Sequence, residues 1–281
     1  MSNKSFFIFV LTVVLLSVGS SFFAQKDYPR KEGISSIDLL QQGQQARELW
    51  EKAIRAKGGR EKLLQIKSVV ETSTAEYTTH KGRQNTIKKT ELSVFPDKYW
   101  SWEDMRPDVF GLRVDMSNYE TRMAYVVTPD SRQEDALRPV SFSRWDKDAS
   151  LLYPQIFYFM ETKWVKPEPI SIYSVLINGQ NVQVIRTDVF GQRFDLVIDN
   201  ETNLPIRFIA YGTINGKEVP TVVTDLSDYL EINGIKMPQK ATPEKGITYT
   251  SKFELNPEYN KDIFEKPTGI DAGPEAWRAK R

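Results

Sequence analysis

The chain of 281 residues has no cysteine and a single histidine, His80. Without cysteine there are no disulfides, no thiolate metal sites, no thiol nucleophiles and no lipid attachment at an N-terminal cysteine. With one histidine, a zinc site would need a shell built mostly of carboxylates, so no metal is expected. His80 lies in a Thr78-Thr79-His80-Lys81-Gly82 stretch that reads as the end of a hairpin strand. No orienting carboxylate or nucleophile accompanies it there, so a solvated turn residue is the better reading. Gly-rich phosphate loops are missing too, because Gly58-Gly59 ends a helix instead of opening one after a strand. Carboxylates are plentiful but scattered, and pairs such as Glu103-Asp104 or Asp225 with Asp228 are what any charged surface offers. A catalytic reading therefore ranks last, and neither a catalytic residue nor a cofactor is expected.

Charge of one sign is also lacking: 38 basic residues stand against 37 acidic ones, a formal net charge of +1. Such balance argues against a protein that tracks nucleic-acid phosphates. No Pro/Gly/Ser-rich linker or low-complexity segment divides the chain, which favours one large β-rich domain. The one marked apolar run, Phe6 to Val18, follows Lys4 and precedes Gly19, Ser20, Ser21 and Ala24. That is the three-part pattern of a secretory signal, and the run is shorter than the ~20 residues of a bilayer span. Export with cleavage is expected, leaving no stable transmembrane span, with an uncleaved anchor as the alternative.

What is abundant is turn and strand chemistry. Asn178-Gly179, Asn215-Gly216 and Asn233-Gly234 each separate runs rich in Val, Ile, Phe and Thr, and Asn-Gly is the strongest short hairpin signal. With Phe190-Gly191 and the Asp199 to Asn203 stretch, residues 170 to 256 read as an antiparallel meander. Val69 to Thr128 adds four or five strands with turns at Lys81-Gly82, Pro96-Asp97 and Pro107-Asp108. Ala46, Leu49, Trp50, Ala53 and Ile54 fall on one helical stripe, with Ser35 or Ser36 as cap and Gly58-Gly59 as terminator. A short helical turn follows over Arg60 to Leu64. Pro129 to Ala149, charged and broken by Pro139, reads as a loop or lid. Tyr153, Ile156, Phe157, Met160 and Trp164 share helical spacing, which predicts a helix over Pro154 to Thr162.

The implied fold class is α+β: a strongly curved antiparallel β-sheet, an incomplete β-barrel of about 10 to 12 strands, with helices covering its concave face. The division along the chain is a signal peptide over 1–24, a mobile segment over 25–37, one domain over 38–267 and a polar tail over 268–281. Aromatic content stands out without catalytic partners. Trp100 and Trp102 share one strand face by the period of two, and the inserted helix carries Tyr153, Phe157 and Trp164. These residues either fill a core or line an apolar cavity between sheet and helices, and the sequence is compatible with both.

"FPDKYWSWEDMRP" (Phe95 to Pro107) followed by "LRVDMSNYETRMAYVVTPD" (Leu112 to Asp130) resembles the LolA/LolB-like lipoprotein-carrier superfamily. "FDLVIDNETNLPIRFIAYG" (Phe194 to Gly212), "LSDYLEINGIKMPQK" (Leu226 to Lys240) and "FELNPEYNKDIFEKP" (Phe253 to Pro267) are similar to the closing strands of its exported members. The resemblance implies a periplasmic carrier or chaperone with a helical lid over a hydrophobic concavity that takes a lipid or lipoprotein acyl chain. Membrane donor and acceptor proteins are its implied partners. The stretch has no arginine where the family's best-studied carriers have a lid-controlling one, and the lack of cysteine excludes the lipid-anchored receptor branch. On this reading Trp100, Trp102, Tyr153, Phe157, Met160 and Trp164 line the cavity. An envelope interaction or sensor module on the same fold, and after it a hydrolase, remain as alternatives.

Overall fold

Both residues of an Asn-Gly pair tolerate positive φ, the requirement of a two-residue type I′ turn. In the computed structural model, which describes residues 36–79, 82–106, 111–129, 138–139, 147–177 and 179–279, Asn215 and Gly216 have φ of 52° and 73°. Asn233 and Gly234 repeat the turn at 52° and 76°, and Phe190 and Gly191 adopt it at 53° and 78°. Asn178, the signal stretch, residues 25–35 and His80 lie outside the described residues. At the remaining turn the Asp199 carboxylate accepts bonds from the Glu201 and Thr202 amides and the Thr202 hydroxyl. These four turns join β8 (Gln180–Val189), β9 (Gln192–Ile198), β10 (Pro205–Ile214), β11 (Lys217–Ile232) and β12 (Ile235–Pro243), and with β7 (Glu168–Ile177) before them and β13 (Tyr249–Leu255) after them these strands form the expected meander.

The first half contributes β1 (Ser68–Thr78), β2 (Gln84–Val94), β3 (Lys98–Asp104), β4 (Leu112–Asn118), β5 (Met123–Val127) and the two-residue β6 (Arg138–Pro139). All thirteen strands form one antiparallel sheet in the order β6-β5-β4-β3-β2-β1-β13-β12-β11-β10-β9-β8-β7. The two meanders meet through β1 and β13, in register from Val69 opposite Leu255 to Ala75 opposite Tyr249. β6 and β7 are its two edges, so the curved sheet stays open and the fold is α+β. The count exceeds the expected ten to twelve because β6 lies within Pro129 to Ala149, a segment whose charge and proline read as loop; apart from Pro129, β6 and 147–149, that segment lies outside the described residues.

Helix α1 (Ser36–Lys57) buries the anticipated stripe, Ala46, Leu49, Trp50, Ala53 and Ile54, against the sheet. It packs mainly along β7 and reaches β8 and β12. Gly58 ends it at φ 130°, where a Cβ would stand 2.2 Å from the Gly234 carbonyl oxygen of the β11–β12 turn. Only glycine permits that approach. Helix α2 (Arg60–Leu63) follows and buries Leu63. Helix α3 (Tyr153–Phe159) is shorter than its apolar spacing suggests: a π-helical turn, Asp148–Leu152, leads into it, and Met160 leaves it at φ 65°. Trp164 therefore stands beyond the helix.

Strand alternation gives the sheet two different faces. The inner face, under α1 and α3, gathers Val69, Tyr99, Ile185, Phe194, Leu196, Phe208, Met237 and Phe253 into one core with the helices. The outer face of β1–β5 gathers Val70, Leu92, Trp100, Trp102, Val114, Met116 and Tyr125 into a second core. Its cover is the C-terminal stretch, whose 3-10 turns Lys261–Phe264 and Ile270–Ala272 supply Ile263, Phe264 and Ile270, and whose Trp277 is 1 % exposed. Polar composition made residues 268–281 look like a tail. Up to 279 they are folded onto the sheet: the Asn260 amide donates to the Trp277 carbonyl, and the Tyr125 hydroxyl donates to the Ile263 carbonyl.

Candidate functional site: the helix-covered face

α3 meets the sheet through rings. Tyr153 stands edge-on to Phe194 with centroids 5.5 Å apart, and Phe157 edge-on to Phe208 at 5.4 Å. Tyr158 meets Phe253 at 4.9 Å, and Phe95 bridges Phe159 and Trp164 at 6.2 Å each. Such pairs add about 0.5–1.5 kcal/mol each beyond the area they bury. The polar atoms of α3 are satisfied locally: the Gln155 amide donates to the Leu151 carbonyl, Thr162 Oγ1 donates to Gln155 Oε1, and Gln192 Nε2 donates to the Tyr153 hydroxyl. Trp50 of α1 donates to Glu161, just past α3, at 3.3 Å, tying the two helices together.

Beside this apolar region the same face turns polar over β1–β4. Register places Glu71 opposite Glu91, Glu91 opposite Ser101 and Ser101 opposite Asp115. The next row places Ser73 opposite Lys89, Lys89 opposite Glu103 and Glu103 opposite Arg113. Four carboxylates thus share a shielded band with two cations, Lys89 pairing with Glu91 at 2.9 Å and Arg113 with Asp115 at 2.6 Å. Beyond the band lies a small apolar rim of Ala75, Ile87 and Met105.

The band touches α3 at one point. Glu71 accepts hydrogen bonds of 2.5 Å from the Tyr158 hydroxyl and from Ser251 Oγ. Burial, followed by the charge of Glu91, pushes the Glu71 carboxyl up to about 7 against those two bonds. Glu103 and Asp115 are also raised, chiefly by burial. A second shielded titratable group stands at the end of α1. Lys57, fully buried, donates to the Lys236 carbonyl and lies 5.1 Å from the Tyr229 ring; burial lowers it to about 7.

The six residues expected along one cavity fall on two faces. Tyr153, Phe157, Met160 and Trp164 belong to the inner core, whereas Trp100 and Trp102 belong to the outer one. The reason is parity: Tyr99 points to α3, so its neighbours Trp100 and Trp102 point away, where Trp102 Nε1 donates to the Ile270 carbonyl. Sequence reasoning passed over Glu71, Glu91 and Lys89 and took Glu103 for a surface carboxylate, whereas it is buried. Their period-two spacing on β1, β2 and β3 marks one strand face, but only the register between strands makes them a cluster. Among the described residues no three His, Asp or Glu side chains are grouped so as to hold a metal ion, and no helix is long and apolar enough to cross a membrane.

The architecture is therefore an open antiparallel sheet with a helical cover over one face and a polar band beside it. No protein-family model and no curated protein matches the chain. Among solved structures it is similar to a domain named for outer membrane lipoprotein sorting from Vibrio parahaemolyticus, with 11% identity, 79% of this chain and 97% of that chain covered, and a TM-score of 0.44. It is also similar to a LolA superfamily protein from Nitrosomonas europaea, with 12% identity, 78% and 96% covered, and a TM-score of 0.45. A DUF1329 family protein from Desulfovibrio piger is matched at 12% identity, 78% and 96% coverage, and a TM-score of 0.46.

Proposed function

We propose that the protein is an exported, non-catalytic carrier that takes a lipid or lipoprotein acyl chain between the inner face of its sheet and helix α3. The observation that supports this most is the construction of α3. It is a seven-residue helix bounded by a π-helical turn and a left-handed Met160, it meets the sheet through aromatic edges, and its polar ties to the strands are Tyr158 on Glu71 and Gln192 on Tyr153. A short cover of that kind can lift as a unit, and the rings it leaves are an acyl surface. Tyr153, Phe157, Met160 and Trp164 are its lining; Trp100 and Trp102 serve the other face. Each buried methylene contributes ~0.8 kcal/mol, so a chain of a dozen binds firmly and still transfers to a partner by differential burial. Solvent extraction of the purified protein with lipid mass spectrometry, together with titration of a fluorescent fatty acid, tests it. Co-purified lipid and saturable binding weakened by Phe157→Asp are expected; a lipid-free protein that leaves the probe unbound sinks the proposal.

An envelope interaction module is the second reading, favoured by the close ring-to-ring filling of the core and by the edge strand β7, which exposes Ile170 and Leu176. It requires a partner whose capture depends on those two side chains and not on α3.

A further inference from the structure

On the outer side of the α1–α2 corner lies a cleft of about 280 Å³, walled by both helices and by the chain that runs from Glu161 to Pro169 into β7. Its floor is Trp50 and Leu64. One arginine, Arg60, bridges the two acids of the wall: it donates to Glu161 through Nε and Nη2 and to Glu51 through Nη1 and Nη2. Both contacts hold its guanidinium above its ordinary pKa, so it is always charged. Glu161 spends its remaining capacity on the Trp50 indole. Two further cations stand at the cleft, Arg47 from α1 and Lys166 from the irregular stretch leading into β7, and among the described residues neither forms an ion pair. The lining thus carries three cations against two carboxylates that are already engaged.

We infer that this cleft, through Arg47 and Lys166 above the Trp50 floor, binds the free phosphate-monoester head group of an amphiphile whose acyl portion lies under α3. The inference rests on the carrier reading above. The chemistry fits phosphate: a guanidinium presents a planar fork to two of its oxygens, and a lysine adds a point charge. The position fits as well, because Trp50 belongs at once to the cleft floor and to the apolar core beneath α1 and α3. A charged group held there stays in water while the attached chain enters the core.

Calorimetry on the full protein tests this with monomeric dihexanoylphosphatidic acid, dihexanoylphosphatidylcholine and inorganic phosphate, alongside an uncharged fluorescent fatty-acid ester that reports the acyl site alone. The phosphatidic acid is expected to bind at least about tenfold more tightly than the choline lipid, the worth of one charged hydrogen bond. Arg47→Gln with Lys166→Gln should abolish that preference and leave ester binding unchanged, while Lys217→Gln, at a distant turn, should change neither. Equal affinity for the two lipids in the unmodified protein overturns the inference. So does inorganic phosphate binding as tightly as phosphatidic acid, which assigns the cleft to the free ion. Failure of the ester to bind defeats the carrier reading instead, and the head-group comparison separates that result from failure of the cleft.

Discussion

The two halves of the sheet are built inside out relative to each other. In β7–β13 the inner face is apolar and lies under α1 and α3, while the outer face carries a polar knot: Asp195, fully buried, accepts two bonds from Arg186 and one each from Tyr173 and Tyr211. In β1–β5 the inner face carries the Glu71–Lys89–Glu103 band, and the apolar side faces out, under the C-terminal stretch. A continuous sheet has the same two faces throughout, so the apolar parity switches where β1 meets β13. The half whose apolar side faces away from the helices, β1–β5, thus needs a separate cover, the C-terminal stretch. The two large apolar faces have separate covers, while a smaller apolar cluster, Val182, Val184 and Val197, lies on the outer face of β8 and β9 beside the knot.

Removing an anchor from each cover breaks this comparison most directly. Trp277→Ala should cost about 4 kcal/mol in denaturant unfolding, because a buried indole leaves both its transfer energy and a cavity. Hydrogen exchange should then rise in β3–β5 and stay low in β8–β10. Asp195→Ala should cost about 3 kcal/mol, since it strands the Arg186 guanidinium between two tyrosine rings, and its exchange should rise in β7–β10 instead. If both variants loosen the same strands, the two halves are one cooperative unit and the division fails.

Much of this was legible in the residues. The Asn-Gly turns and the Ala46 to Ile54 stripe located β10–β12 and α1, because φ demands and a 3.6 period are local properties. The inversion between halves was not. Tyr99-Trp100-Ser101-Trp102 says that Tyr99 and Trp100 face opposite ways, but which way is inside depends on α3, fifty residues on. The Glu71 cluster was hidden for the same reason: Glu71, Glu91 and Asp115 come together only through pairing register. Trp277 sat in a stretch whose Pro, Gly and charge mask one large apolar anchor.

Acidity sharpens the comparison next. Glu71 has a carboxyl near 7 in the folded protein and an ordinary one when unfolded, so the folded state holds the extra proton between about pH 4.5 and 7. Its stabilising contribution is complete below the ordinary carboxylate range and is lost as pH rises to about 7, on the order of 3 kcal/mol in all. Lys57 acts with the opposite sign above that point: lowered to about 7, it leaves the unfolded state with more bound protons from there to the ordinary lysine range, so stability rises again. Unfolding free energy against pH should therefore show a minimum near neutrality. Glu71→Gln should flatten the acid limb and Lys57→Met the alkaline limb. An acid limb unchanged in Glu71→Gln would remove the band from any part in holding α3.

The smallest effect separates two turns of identical sequence. Asn215 and Asn233 both sit at φ 52°, a left-handed conformation that costs most residues about 1 kcal/mol and asparagine less. Asn215→Ala should therefore cost under about 1 kcal/mol, because nothing lies within 4 Å of a Cβ built on Gly216 and the β10–β11 turn is free to adjust. The Asn233-Gly234 turn is not free. Its Gly234 carbonyl receives Lys62 Nζ at 3.4 Å and packs against Gly58 at the end of α1. Asn233→Ala should cost measurably more, and the excess should vanish when α1 is already released from the turn by Gly58→Ala. Additive losses in that double variant would mean that the hairpin and the helix end are held independently, and that α1 is not seated by the turn.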